Sequence, residues 1–169
     1  MREQNLYIID ANIFMQAARS YYSFSRAPTF WDTLLQYAND GKIISIDKVF
    51  QEIKEGNEDD PLKIWAKDEF AMYFDTTKTE EVLKCYKDLV KWADKQTQFL
   101  QTAKDEFMDE ENADAWVIAF AKVKNAILVT SELPAPGSKK RIPIPSVCEE
   151  FDVEYCDLFT MLDSLGFSF

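Results

Sequence analysis

Hydrophobic positions along the chain change period repeatedly, and each change marks an element. Leu6-Tyr7-Ile8-Ile9 is a continuous apolar run closed by Asp10, which predicts a buried strand over 6–10. Ile13, Phe14, Ala17 and Ala18 then recur at helical spacing within 12–19. Pro28 followed by Phe30, Trp31, Leu34, Leu35 and Ala38 predicts a second helix, stopped by Gly41. Ile43 to Ile46 reads as a short strand. Asp47 stands where it can cap the next helix, carried by Val49, Phe50 and Ile53 to Gly56.

A polar link at 57–60 precedes Pro61, which opens a helix through about Phe70. Residues 78–108 alternate apolar and charged positions at helical spacing and predict two helices, with part of 61–108 available as a partner or homodimer surface. Asp109 or Asn112 starts a further helix to Lys124, and 126–130 (Ala-Ile-Leu-Val-Thr) is a clean strand. Pro134, Pro136, Gly137, Pro143 and Pro145 predict a loop over 131–145. A short helix at 146–151, a strand at 153–156 and a helix from Asp157 complete the order. Strands separated by helices predict an α/β fold with a central parallel sheet flanked by helices, built as one domain over 1–169.

Composition narrows the chemistry. The 169 residues include no histidine, which removes Ser-His-Asp and Cys-His catalysis and histidine-rich metal sites. Gly41, Gly56, Gly137 and Gly166 are the only glycines and form no phosphate-cradling motif. Cys85, Cys148 and Cys156 are odd in number and unpaired in spacing, which suits reduced, packed thiols and argues against a structural zinc. No apolar run approaches the roughly 20 residues of a membrane span, and no export signal is visible, so the cytoplasm is the expected location. The net charge of −11 counts against a purely electrostatic nucleic-acid binder.

What remains is carboxylate chemistry. Asp10 ends the first strand, Glu52 lies in the helix after the second, Asp114 opens an otherwise apolar helix, and Glu132 follows the strand 126–130. Each acid has an ordinary reading: helix cap for Asp10, solvated helix residue for Glu52, dipole complement for Asp114, loop acid for Glu132. Together they occupy places that the carboxyl side of a parallel sheet could bring to one point. Carboxylates clustered there repel, by about 4 kcal/mol for two charges ~4 Å apart at an effective dielectric of 20. A hard divalent cation such as Mg²⁺ or Mn²⁺ reverses that sign. A D-x-D phosphatase is disfavoured because Asn12 stands two residues after Asp10.

The segments Ile8-Ile9-Asp10-Ala11-Asn12, Val49-Phe50-Gln51-Glu52-Ile53, Asp114-Ala115-Trp116-Val117-Ile118-Ala119 and Leu128-Val129-Thr130-Ser131-Glu132 resemble, in order and context, the acidic motifs of PIN-domain nucleases. Arg141-Ile142-Pro143, Val147-Cys148 and Phe151-Asp152-Val153 are similar to an uncharacterised prokaryotic PIN-like subfamily. The resemblance implies a three-layer PIN-like fold and a Mg²⁺- or Mn²⁺-dependent endoribonuclease, as in the toxins of type II toxin–antitoxin pairs, with RNA as substrate and an antitoxin as partner. It implies Asp10, Glu52 and Asp114 as the core metal ligands. Glu132 stands where the family usually has an aspartate, which leaves its role and a second metal open. By the same resemblance Thr130 and Ser131 hold a water or orient the ligands, and Asn12 hydrogen-bonds a ligand or the substrate. A binding module that no longer cuts and a structure-specific DNA nuclease are the alternative readings.

Two further features bear on a nucleic-acid substrate. Lys139-Lys140-Arg141 is a basic run that either grips a phosphate backbone or lies solvated in its loop. Arg19 and Arg26, among Tyr21, Tyr22 and Phe24, offer either a stacking and phosphate surface or, more simply, aromatic packing at a helix connection.

Overall fold

The computed structural model describes residues 5–168. Five strands, β1 (Tyr7–Ile9), β2 (Ile43–Ile46), β3 (Phe74–Asp75), β4 (Ile127–Val129) and β5 (Tyr155–Cys156), form a sheet in the order β3-β2-β1-β4-β5. Every pairing is parallel; Tyr7 of β1 sits opposite Ile43 of β2 on one side and Ile127 of β4 on the other. The helices are α1 (Ala11–Gln16), α2 (Pro28–Asn39), α3 (Asp47–Lys54), α4 (Pro61–Trp65), α5 (Glu80–Lys95), α6 (Gln101–Met108), α7 (Ala113–Lys124), α8 (Ile144–Glu150) and α9 (Leu158–Leu165). The architecture is the expected α/β fold with a central all-parallel sheet flanked by helices. It is a PIN-like fold.

The topology matters for function. From β1 the chain builds outward through β2 and β3, then returns to lay β4 and β5 on the other side of β1. The strand order therefore reverses between β1 and β4, and the carboxyl ends of those strands flank the crevice where open parallel sheets bind ligands. β1, β4 and most of β2 are buried, and one core joins the sheet to both helix layers.

Local chemistry explains several boundaries. Asp10 Oδ1 accepts the Ala11 N–H at 2.8 Å and caps α1. Gly41, at φ +76°, ends the α2 connection in the left-handed region, which suits a residue without a side chain. Asn112 caps α7 by accepting the Asp114 N–H at 2.9 Å. Asp157 caps α9 by accepting the Thr160 N–H at 2.8 Å.

Five details depart from the pattern reading. α1 and α4 both continue as π-helical turns, Ala17–Tyr21 and Ala66–Phe70. β3 is an additional strand of two residues. Asp47 is the first residue of α3 rather than its cap, because its carboxylate accepts the N–H and O–H of Thr77 at 3.1 and 2.9 Å and ties α3 to the segment after β3. α8 begins at Ile144, earlier than 146, because Pro145 fits the first helical turn, where its missing N–H is no loss. The last strand is confined to Tyr155–Cys156, after a turn in which Asp152 takes φ +56°.

Candidate active site

The four acids selected from sequence gather at the reversal point of the sheet. Asp10 follows β1, is 2% exposed, and has its second oxygen 3.5 Å from Thr130 Oγ1, just past β4. Buried Ser45 of β2 donates its hydroxyl to the Ile9 carbonyl at 2.6 Å and fixes the backbone beside Asp10. Glu52, on α3, accepts the Ala113 N–H at 3.2 Å, which holds it against the first turn of α7. Asp114 lies in that same turn. The N–H of Glu132 donates to Thr130 Oγ1 at 3.2 Å, while its Oε1 accepts the Ile144 N–H at 3.1 Å.

These groups feel one another as charges. Burial pushes the Asp10 carboxyl well above the usual carboxylate range; Asp114, Glu132 and Glu52 push the same way, against the Ala11 N–H. Asp114 is raised to about 7, first by burial and then by Glu132, with Arg141 pulling it down. Burial also raises Glu52. The Cys148 thiol behind the centre is pushed up to about 12, by burial and then by Glu132 and Asp10.

Among the described residues one cation answers this charge. Arg141 Nη2 donates to Asp114 Oδ2 at 3.0 Å and to Glu132 Oε2 at 2.9 Å, and Nη1 lies 3.8 Å from Glu106 of α6. The three basic residues expected to act alike therefore part company. Lys139 and Lys140 face solvent, whereas the Arg141 guanidinium turns inward onto the acids. The loop is held in this course by the Lys139 carbonyl, which accepts the Leu100 N–H at 2.9 Å, and by Gln98, whose amide donates to the Pro136 and Ser138 carbonyls at 2.7 Å. Glu106 carried no signal in the sequence that separates it from other helix-surface acids.

Asn12 is exposed in the first turn of α1, and Ser131 lies half-buried between Thr130 and Glu132. Tyr22 and Phe24 pack, stacked on Phe30 and Trp31 at centroid distances of 4.1 and 4.0 Å, as the simpler reading of that segment expects. Tyr21 does not; it remains 55% exposed.

A hard divalent cation fits the donor set, which is all oxygen, and fits a buried Asp10 that forms no ion pair among the described residues. Placement is a different matter. Among the described residues no three His, Cys, Asp or Glu side chains converge closely enough to hold an ion as they stand, and Arg141 occupies oxygens of two of the four acids.

The five-stranded all-parallel sheet flanked by helices is what defines the fold class as PIN-like. The same fold appears in a crystal structure of VapBC2 from Rickettsia felis bound to a DNA fragment from its promoter, at a TM-score of 0.55 and 14% identity, with 90% of this chain and 98% of that chain covered. That likeness is one of fold. The chain belongs to the family described as Domain of unknown function (DUF4411), whose family model matches residues 7–169. No curated protein matches it. Among the described residues no helix is long and apolar enough to cross a membrane.

Proposed function

We propose that this protein is a Mg²⁺- or Mn²⁺-dependent endoribonuclease, and that it works as the toxin of a toxin–antitoxin pair held by a partner protein in the cytoplasm. The observation that carries the nuclease reading is that Asp10, Glu52, Asp114 and Glu132 lie near enough at the strand reversal to act on one another, with Arg141 bridging Asp114 and Glu132. Acids spaced by dozens of residues are otherwise kept apart by repulsion. The fold shared with VapBC2 supports the toxin part of the proposal.

In this reading Asp10, Glu52 and Asp114 hold the ion, and Glu132 is a fourth carboxylate within reach. What a bound Mg²⁺ or Mn²⁺ supplies at such a centre is activation of a water and stabilisation of charge on a phosphodiester undergoing in-line attack. The Thr130 hydroxyl, between Asp10 and the Glu132 N–H, keeps two of the acids in register. Ser131 and Asn12, open to solvent at the same edge, hydrogen-bond the substrate. Lys139 and Lys140 neutralise phosphates of the strand. Arg141, now on Asp114 and Glu132, would have to leave those oxygens for them to hold an ion, and its guanidinium could then pair with a phosphate.

The test is cleavage of RNA, single-stranded DNA and flap DNA by the purified chain. Asp10→Asn and Asp114→Asn are each expected to lower RNA cleavage by at least ~100-fold with the circular dichroism spectrum unchanged, as EDTA does. Undiminished cleavage in either variant, or in excess EDTA, refutes the proposal; preferential cutting of flap DNA moves the substrate to DNA. A second reading, a binding module that does not cut, draws on Arg141 seated on two of the acids. Calorimetric titration with Mn²⁺ separates the two: heat of binding that Asp10→Ala removes supports the enzyme, and none supports the module.

A further inference from the structure

Beside the acidic centre, along the same edge of the sheet, lies a cleft of about 240 Å³. Its walls come from the segments that follow three adjacent strands: Ile13 and Gln16 after β1, Ser131 and Leu133 after β4, and Asp157 and Phe159 after β5. It therefore shares α1 with Asp10 and shares the segment 130–132 with Thr130 and Glu132.

Its rim is aromatic. Tyr21 and Phe159 meet edge to face at a centroid distance of 5.2 Å, yet stay 55% and 45% exposed, beside Leu133 at 80%. Tyr21 owes its position to the π-helical turn Ala17–Tyr21, a device that recurs at functional sites. Its neighbours Tyr22 and Phe24 turn inward and stack in the core, so the outward ring is not a by-product of crowding. The rest of the lining is mixed: buried Ile13 and Leu158 give it apolar surface, and Gln16, Ser131 and Asp157 give it an amide, a hydroxyl and a carboxylate. Asp157 is held below the usual carboxylate range by the Thr160 N–H, so it is a charged acceptor that repels phosphate. Aromatic rings beside an amide, a hydroxyl and a fixed acceptor suit a planar heterocycle with N–H donors on its edge.

We propose that this cleft takes an unpaired nucleobase with N–H donors on its Watson–Crick edge, guanine before the others, from a single strand lying across the acidic centre. Asp157 accepts from the base's ring N–H and amino group, Gln16 and Ser131 pair its remaining edge, and of the perpendicular rings Tyr21 and Phe159 one stacks on its face while the other meets its edge. The strand part rests on the nuclease reading; the base site itself does not.

The experiment uses the whole chain and free nucleosides, which carry no phosphate and are not cut. Guanosine, cytidine, adenosine and uridine are titrated separately while the NMR signals of the Gln16 side-chain amide and the Ser131 N–H are followed. Saturable shifts are expected, strongest for guanosine. Tyr21→Leu and Phe159→Leu are each expected to weaken binding about tenfold, the scale of one stacking contact. Asp157→Asn, which keeps a helix-capping side chain, removes the preference for guanosine over uridine and leaves the fold intact. No saturable shift with any nucleoside overturns the proposal. So does equal uptake of N-acetyl-leucinamide, which makes the cleft a seat for a protein side chain. Nucleoside binding without RNA cleavage keeps this site and removes the nuclease, whereas cleavage without nucleoside binding does the reverse.

Discussion

The two ends of α1 sit in opposite physical regimes. Toward its middle, Phe14 enters an aromatic cluster in which Trp31 meets Phe24 at 4.0 Å and Trp65 at 4.8 Å, and Phe70 meets Phe14 at 5.6 Å and Trp65 at 4.9 Å. Nearly everything there is apolar and satisfied by contact, with the buried Trp65 N–H left without a partner. At its start, burial and then the neighbouring acids raise the proton affinity of Asp10, as they do that of Asp114. The same helix thus carries a region optimised for stability and a region that sacrifices it. Charge that destabilises the free protein is what an active centre of carboxylates requires.

The largest expected effect lies on the stable side. Phe14→Ala removes a fully buried ring and is expected to cost about 3–5 kcal/mol, on the order of 10 °C in Tm. Because Asp10 caps the helix that Phe14 anchors, loosening that anchor also loosens the acid. Differential scanning calorimetry checks the first effect. A loss below ~1 kcal/mol would show that the cluster does not anchor α1.

A smaller effect of opposite character lies on the acidic side. Burial and the neighbouring Glu132 raise Asp114 to about 7, well above an ordinary aspartate, so between the ordinary value and the raised one the folded state binds more protons than the unfolded one. Stability therefore falls as pH rises through that window, and Asp10 and Glu52, raised in the same direction, add to the slope. The lowered carboxylates, Glu58 and Asp157, act in the opposite sense, but only at the acid end of the window and below it. In EDTA, Tm is expected to be higher at about pH 5 than at about pH 8, by on the order of 5 °C for about 2 kcal/mol. Asp114→Asn flattens the profile and raises Tm at the higher pH. A profile that rises with pH would mean that the acids are individually satisfied and the contrast with the aromatic region is false.

The two regions were unequally legible in the sequence. Short runs rich in β-branched residues marked β1, β2 and β4, and strand ends are short enough to place Asp10 and Glu132 at the sheet's carboxyl edge. β3 left no trace because a pair such as Phe74–Asp75 has no period to read. The π-helical turns escaped for a related reason: apolar spacing continues through them while the hydrogen-bond pattern shifts. The course of Arg141 was hidden because Lys139-Lys140-Arg141 reads as a uniform basic run. The burial of the next residue, Ile142, turns the loop inward there, and no composition argument ranks one loop arginine above its lysine neighbours.

Arg141 offers the finest test of the contrast, because it is the cation that makes the acidic region tolerable. Its bonds to Asp114 and Glu132, at 3.0 and 2.9 Å, occupy oxygens that an incoming Mn²⁺ would need. Arg141→Gln removes the charge and, two bonds shorter at its terminal nitrogen, the reach to Asp114 and Glu132. Without divalent ion the variant is expected to be less stable, since two partly buried carboxylates lose their counter-charge. With Mn²⁺ it is expected to bind about tenfold more tightly, because ~1.4 kcal/mol of charge-assisted pairing no longer has to be broken first. Calorimetric titration of wild type and variant at one pH and ionic strength measures the difference. Weaker binding in Arg141→Gln would mean that the guanidinium arranges the acids for the ion instead of standing in its place, and the acidic region would then be a preassembled centre, as settled in its own way as the aromatic cluster on the other half of α1.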